Sequence, residues 1–160
     1  MAKTVFLLTG GTIDSYYDIH SGKALVCDKS VIPHYIEKVF WENKRDHEYV
    51  QVCAKDSREI NDEDRLMLCQ LIDNSKEHHF LITHGSFTLF ETARYLDLHV
   101  KRKDIKVVLT GAMIPMEGFY HSDGHFNLGM ALGGLKLLKE GIHVCFQGEF
   151  YTPSETIKLH

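Results

Sequence analysis

The chain has 160 residues, 44% hydrophobic and 25% charged, with 18 basic and 22 acidic side chains giving a net charge of −4. This length supports one core without disulfide staples, and the composition excludes a disordered chain. With no basic block beyond Lys101-Arg102-Lys103 and no apolar run near the roughly 18 residues of a membrane span, neither a nucleic-acid partner nor a membrane is expected.

In chain order, strands are predicted at Thr4–Leu8, Tyr49–Cys53, Phe80–Thr83, Val107–Leu109 and His143–Phe146. Helical patterns fall between them at about 33–42, 61–75, 88–99 and 123–140. The strands are short, β-branched and bounded by Gly or charge, which suits a buried parallel sheet. Strand alternating with helix predicts an α/β fold, a three-layer αβα sandwich with a mainly parallel sheet, flavodoxin-like or Rossmann-like in outline. Residues 1–160 read as a single domain without repeat or linker. Thr88 with Glu91 predicts a capping box at a helix start, and Asn61-Asp62-Glu63-Asp64 places acid in another first turn. The apolar N-terminal stretch is too short for a signal peptide, so the expected address is cytoplasmic. Cys27, Cys53, Cys69 and Cys145 lack any CxxC pairing and are expected as reduced, mostly buried thiols.

Three strands run into Gly beside hydroxyl residues: Thr9-Gly10-Gly11-Thr12, Thr83-His84-Gly85-Ser86 and Thr110-Gly111-Ala112. In a parallel sheet such turns share the edge where ligands bind. Gly11 and Gly85 would let the backbone pass close to a substrate there. The phosphate-cradling GxxxxGK[ST] and GxGxxG patterns and the GxSxG hydrolase elbow are absent, so no nucleotide cofactor is expected. His121-Ser122-Asp123-Gly124-His125 and His78-His79 lack zinc-like spacing, so no metal is expected either. Hydroxyl nucleophiles remain. Thr12 follows the double-Gly turn, and its proton needs an acceptor or a phenol, for which Tyr16 or Tyr17 could serve from the following loop. Ser86 offers a second hydroxyl, with a lysine as its base.

Thr9-Gly10-Gly11-Thr12-Ile13, Asp56-Ser57-Arg58-Glu59-Ile60, the Thr83–Ala93 stretch THGSFTLFETA, Leu109–Met113 and Ser122–Leu128, in this order, resemble the signatures of the bacterial-type asparaginase family. The resemblance implies a cofactor-independent amidohydrolase that converts L-asparagine to L-aspartate and ammonia, with Thr12 as nucleophile. It implies a relay at the positions of Ser86, Lys158 and Phe87, a lid phenol at Tyr17 or Tyr16, and substrate contacts at Asp56 and Ser57. It also implies a homo-oligomer, dimer or tetramer.

Two departures stand out. Phe87 replaces a family carboxylate that also anchors the substrate's α-ammonium, a loss worth about 1.5–3 kcal/mol, or roughly 10–150-fold in binding. Glu59, Glu149 or a neighbouring subunit's carboxylate could substitute, and Arg58 could meet the substrate carboxylate. The chain also matches only the family's N-terminal domain, so the C-terminal domain is expected to be absent and residues 150–160 to dock on another subunit. Phe87 is expected to pack or line the pocket, Asp123 to bond backbone, and Met113, Met116 and Met130 to fill core. The rival readings are a catalytically silent amino-acid-binding module and a subunit of a larger amidotransferase.

Overall fold

A computed structural model describes residues 2–40 and 47–160. Six strands form one sheet: β1 (Thr4–Gly10), β4 (His47–Lys55), β5 (His79–Thr83), β6 (Lys106–Thr110), β7 (Gly141–Phe146) and β8 (Glu149–Tyr151). Their order is β4-β1-β5-β6-β7-β8, parallel throughout except for the antiparallel β7–β8 pair. The five parallel strands, renumbered among themselves, follow the 2-1-3-4-5 order of a flavodoxin-like sheet. The expected fold class is therefore the observed one.

The helices are α1 (Ile32–Val39), α2 (Asp62–Asn74), α3 (Leu89–His99) and α4 (Gly124–Leu137). The pattern read at 33–42 reaches residues 41 and 42, which lie outside the described residues. Strand alternation sorts the core into two layers. Val5, Leu7, Phe80, Ile82, Val107 and Leu109 face Leu68 and Ile72 of α2 and Ala93 and Leu96 of α3. Phe6, Leu8, Leu81 and Val108 face Ile36 of α1 and Leu128, Ala131 and Leu135 of α4. Full burial of each large side chain, such as Phe6 or Phe80, contributes about 1.5–3 kcal/mol.

Two local expectations need correction. Residues 15–26 form an antiparallel hairpin, β2 (Ser15–Asp18) with β3 (Lys23–Val26), so Tyr16 and Tyr17 sit on a strand, not a loop. Its turn closes through Gly22 N to Asp18 O at 2.8 Å and Ser21 N to the Asp18 carboxylate at 2.9 Å. A second hairpin joins β7 to β8 through Gln147 and Gly148, both at positive φ (51° and 85°), the geometry of a tight two-residue turn. The capping box at Thr88 is not formed: Thr88 Oγ1 donates to the Ser57 carbonyl at 2.7 Å, and Glu91 pairs with Arg65. The capping box stands instead at α2, where Asn61 and Asp64 bond each other's backbone N–H at 3.1 Å.

All four cysteines are free thiols, Cys69 and Cys145 buried and the others half-buried. Met116 fills core as expected and Met130 packs against it, but Met113 is exposed. No helix among the described residues is long and apolar enough to cross a membrane, and no group of three or more His, Cys, Asp or Glu among them is placed to hold a metal.

Candidate active site

The order β4-β1-β5 means that the chain leaves β1 to one side and later returns on its other side. This reversal between β1 and β5 is the topological switch point, where open α/β sheets form their crevice. Three turns meet there. Gly11, at φ 79°, follows β1 and is so close to Gly85 that a Cβ on it would overlap the Gly85 backbone. Gly85 follows β5 and lies against Ser57, whose Cβ and Oγ would be 2.6 Å from an added Cβ. Ser57 follows β4. The TGGT, DSRE and THGS segments thus converge through backbone contacts that only glycine permits at Gly11.

Gly11→Ala is accordingly expected to cost about 2–4 kcal/mol, from left-handed backbone strain and overlap with Gly85. For a chain of this size that lowers Tm by about 5–15 °C, readable by calorimetry. A wild-type Tm would show that the two turns can part freely.

Thr12 opens a one-turn 3-10 helix (Thr12–Asp14) and is half-buried. The turn is fastened around it. Ser15 Oγ donates to Gly11 O at 2.8 Å, Cys27 N to Asp14 O at 2.8 Å, and Val31 N to the Asp14 carboxylate at 2.8 Å. Asp14 is itself buried, which pushes its pKa up despite the Ser30 and Val31 hydrogen bonds. The hairpin therefore springs from the same turn that presents Thr12. Tyr16 and Tyr17 are exposed neighbours on β2, so their side chains point to opposite faces. Neither phenol bonds Thr12. The Tyr17 ring meets Phe119 edge-on at 6.0 Å, and its hydroxyl lies near Gly22 at the hairpin turn.

Asp56 and Arg58 are committed to each other, with Nε and Nη2 of Arg58 at 2.9 and 2.8 Å from the two carboxylate oxygens. The hydrogen bonds from Arg58 hold the Asp56 carboxyl below its ordinary pKa. Ser57 is buried, its Oγ 3.4 Å from Thr88 N, so it ties the β4 turn to the start of α3.

Ser86 is 6% exposed, and its Oγ lies 2.9 Å from Nε2 of His160. Phe87 is half-exposed and stacks flat on the His160 ring, centroids 3.9 Å apart and planes 5° apart, while Arg58 lies 4.6 Å from the Phe87 centroid. Lys158 is exposed and lines the same groove, with Glu91 and Arg94, but makes no hydrogen bond to Ser86. Within the chain Pro153 is buried, and Ile157 and Leu159 pack against the core.

Two further features escaped sequence reading. His160 carries no spacing signal. His84 is fully buried within the THGS segment, its Nδ1 donating to Gly85 O at 2.8 Å and its Nε2 accepting from Thr92 Oγ1 at 2.9 Å. Thr92 Oγ1 in turn accepts from Arg65 Nε at 3.1 Å. The one legible signal was His84 sitting just past the apolar run Phe80-Leu81-Ile82. Asp123 matches its expected role, accepting from Met113 N at 2.9 Å, Ile114 N at 2.9 Å and Asn127 Nδ2 at 3.2 Å.

The turns at the switch point of this α/β domain carry Thr12 and, on the adjoining turn, a second hydroxyl at Ser86. Residues 3–160 match the family described as Asparaginase, N-terminal, and the chain belongs to the asparaginase family. It is 45% identical over 80 residues to L-asparaginase 2 of Escherichia coli, covering 49% of this chain and 22% of that one. It is 28% identical to the L-asparaginase of Thermococcus kodakarensis over 99% of this chain and 48% of the relative, whose solved structure superposes with a TM-score of 0.81. A structure of a "Probable Cytoplasmic L-asparaginase" from Campylobacter jejuni, 29% identical, superposes with a TM-score of 0.84 over 100% of this chain and 50% of that one. The chain spans half or less of the length of these relatives.

Proposed function

We propose that this chain hydrolyses the side-chain amide of L-asparagine to L-aspartate and ammonia, with Thr12 as the nucleophile. The observation that carries the reading is the convergence of Gly11, Ser57 and Gly85 at the switch point, which sets Thr12 and Ser86 on adjoining turns. Membership of the asparaginase family and relatives named L-asparaginase support the substrate. The Thr12 hydroxyl attacks the amide carbon, ammonia leaves, and water cleaves the resulting ester. No residue in this sequence of steps requires a cofactor.

Tyr17 or Tyr16, both on the hairpin that springs from the Thr12 turn, is the candidate phenol. Asp56 holds Arg58, leaving the guanidinium poised beside Phe87 to meet a substrate carboxylate. Lys158, on the groove beside Ser86, is the candidate lysine of the relay. We read residues 1–160 as one catalytic unit that assembles as a homo-oligomer and works in the cytoplasm, in line with the Campylobacter relative.

Saturable ammonia release from L-asparagine at neutral pH, matched by aspartate formation, is the expected result. Absence of release up to tens of millimolar substrate would contradict the reading and favour a silent amino-acid-binding module, for which binding without turnover would be seen by calorimetry.

A further inference from the structure

We propose that Asp14 is a positioning residue of the site: its buried carboxylate locks the segment beyond the 15–26 hairpin to the turn that presents Thr12, so that nucleophile and hairpin keep one arrangement. The proposal rests on the reading of Thr12 as nucleophile and of a hairpin tyrosine as its phenol, the two pieces that Asp14 holds together.

A buried carboxylate is unfavourable unless donors meet it. Asp14 is 2% exposed, and burial pushes its pKa up, with the Glu117 charge adding to the rise. Two donors meet it, both from the segment that follows β3: Val31 N–H at 2.8 Å and the Ser30 hydroxyl. The main chain of the same residue is also engaged. Asp14 N donates to Gly11 O at 3.1 Å, and Asp14 O accepts from Cys27 N at 2.8 Å. One residue therefore bonds the glycine before Thr12, the residue just past β3, and Ser30 and Val31 beyond it.

Both ends of the hairpin stand on this node. β2 begins at Ser15, directly after Asp14, and Ser15 pairs with Val26 at the end of β3. Val26 lies against Gly10, where an added Cβ would come within 2.9 Å of Val26 Cγ1. From the other side the Gln51 amide on β4 accepts from Ser30 N at 3.0 Å and donates to Asp28 O at 2.6 Å. Segment 28–31 is thus clamped between β4 and the Thr12 turn, and Asp14 is the half of the clamp that belongs to the site. The hairpin's own ladder has only four pairs, and most of its residues are exposed. A two-stranded ribbon of that kind is marginal in water, so its root sets where its tyrosines stand.

The competing role is that of a helix cap. Val31 is the N-cap residue of α1 and has no side-chain cap bond, so a carboxylate on its N–H stabilises the helix start whatever the site does. A cap alone is felt in Tm. Positioning is felt in turnover, because displacing reacting groups by about 1 Å lowers rates by up to roughly 10²-fold.

Asp14→Ala removes the acceptor, whereas Asp14→Asn keeps an oxygen for Val31 N–H. At a temperature where each variant is folded, Asp14→Ala is expected to lower kcat by about 10–100-fold with KM within about 3-fold of wild type. Asp14→Asn should restore kcat to within about 3-fold of wild type. Val31→Pro cuts the same bond from the donor side, leaves Asp14 in place, and suits a φ of −86° close to proline's range. It should reproduce the loss and add nothing to Asp14→Ala in the double variant. Hydrogen exchange read by mass spectrometry needs no turnover: amides of 16–25 should exchange about 10-fold faster in Asp14→Ala and Val31→Pro, with β1 and β5 at wild-type rates. A wild-type kcat in either of those variants, or exchange that quickens throughout the chain instead of in the hairpin, would overturn the proposal. If the wild-type chain releases no ammonia, the nucleophile reading fails, and the exchange pattern alone decides whether Asp14 holds the hairpin.

Discussion

Thr12→Ala should abolish ammonia release while leaving the fold intact. The two halves of that expectation come from different facts. Thr12 is half-buried and its hydroxyl makes no hydrogen bond among the described residues, so removing Oγ1 breaks no hydrogen bond there. The turn is held instead by the Gly11–Lys55 backbone bond at 2.9 Å and by the Ser15 and Asp14 contacts, none of which the variant touches. Stability should stay within about 0.5 kcal/mol of wild type, as for substitutions away from packed or bonded features. Activity should fall by about 10⁴-fold or more, since losing the nucleophile of a coupled site removes nearly all of its acceleration. Thermal unfolding and an ammonia assay on one preparation check both. A variant that stays folded and active would move the nucleophile elsewhere, with Ser86 the first alternative.

The second large effect is acid instability centred on His84. Burial pushes its pKa down from 6.5 to about 4, with the Arg65 charge adding to the depression and the Gly85 carbonyl opposing it. Above pH 6.5 the imidazole is neutral whether the chain is folded or not, and the native hydrogen bonds are fully available. Below 6.5 the unfolded chain takes up a proton that the folded chain refuses. The contribution is therefore lost progressively as pH falls from 6.5 through about 4, and amounts to about 3 kcal/mol over the window. Asp14 works in the opposite sense: its raised pKa favours the fold at low pH, and that contribution is lost as pH rises through the raised value.

Urea unfolding between pH 7.5 and 5 should reveal a falling stability that His84→Gln flattens. An equal slope in wild type and variant would mean that other groups govern acid unfolding. Protonating the ring turns Nε2 from acceptor to donor, so the Thr92 hydroxyl, which also accepts from Arg65, must reorient.

The layers of the fold were legible because short continuous apolar runs such as Val5–Leu8 and Phe80–Ile82 suit a sheet buried on both faces. The hairpin at 15–26 was hidden for a physical reason. It lies outside the main sheet, its residues are mostly exposed, and its four-residue turn is held by Asp18 rather than by an Asn-Gly pair. The short strand β8 was missed because its signal is only Gln147-Gly148. At Thr88 the local capping pattern lost to a tertiary contact, since Ser57 from a distant turn offers both a carbonyl and a hydroxyl.

In the site, Gly11, Thr12, Gly85 and Ser86 could be placed from the motif because strand ends dictate their position. Lys158 was read as the base beside Ser86, whereas the tail side chain that bonds Ser86 Oγ is His160. Which of two tail side chains reaches Ser86 depends on how Ile157 and Leu159 seat on the core and on the Phe87 stack. Phe87 read both as a lost carboxylate and as a residue that packs or lines the pocket, and in the fold it stacks on the His160 ring.

The measurement that bears most directly on the central claim is mass spectrometry of the chain quenched in acid during turnover of L-asparagine, followed by peptide mapping. The account predicts an ester-linked aspartyl group on the peptide that contains Thr12, absent from Thr12→Ala. An aspartyl group on Ser86, or steady ammonia release with no covalent adduct at any time point, would contradict it.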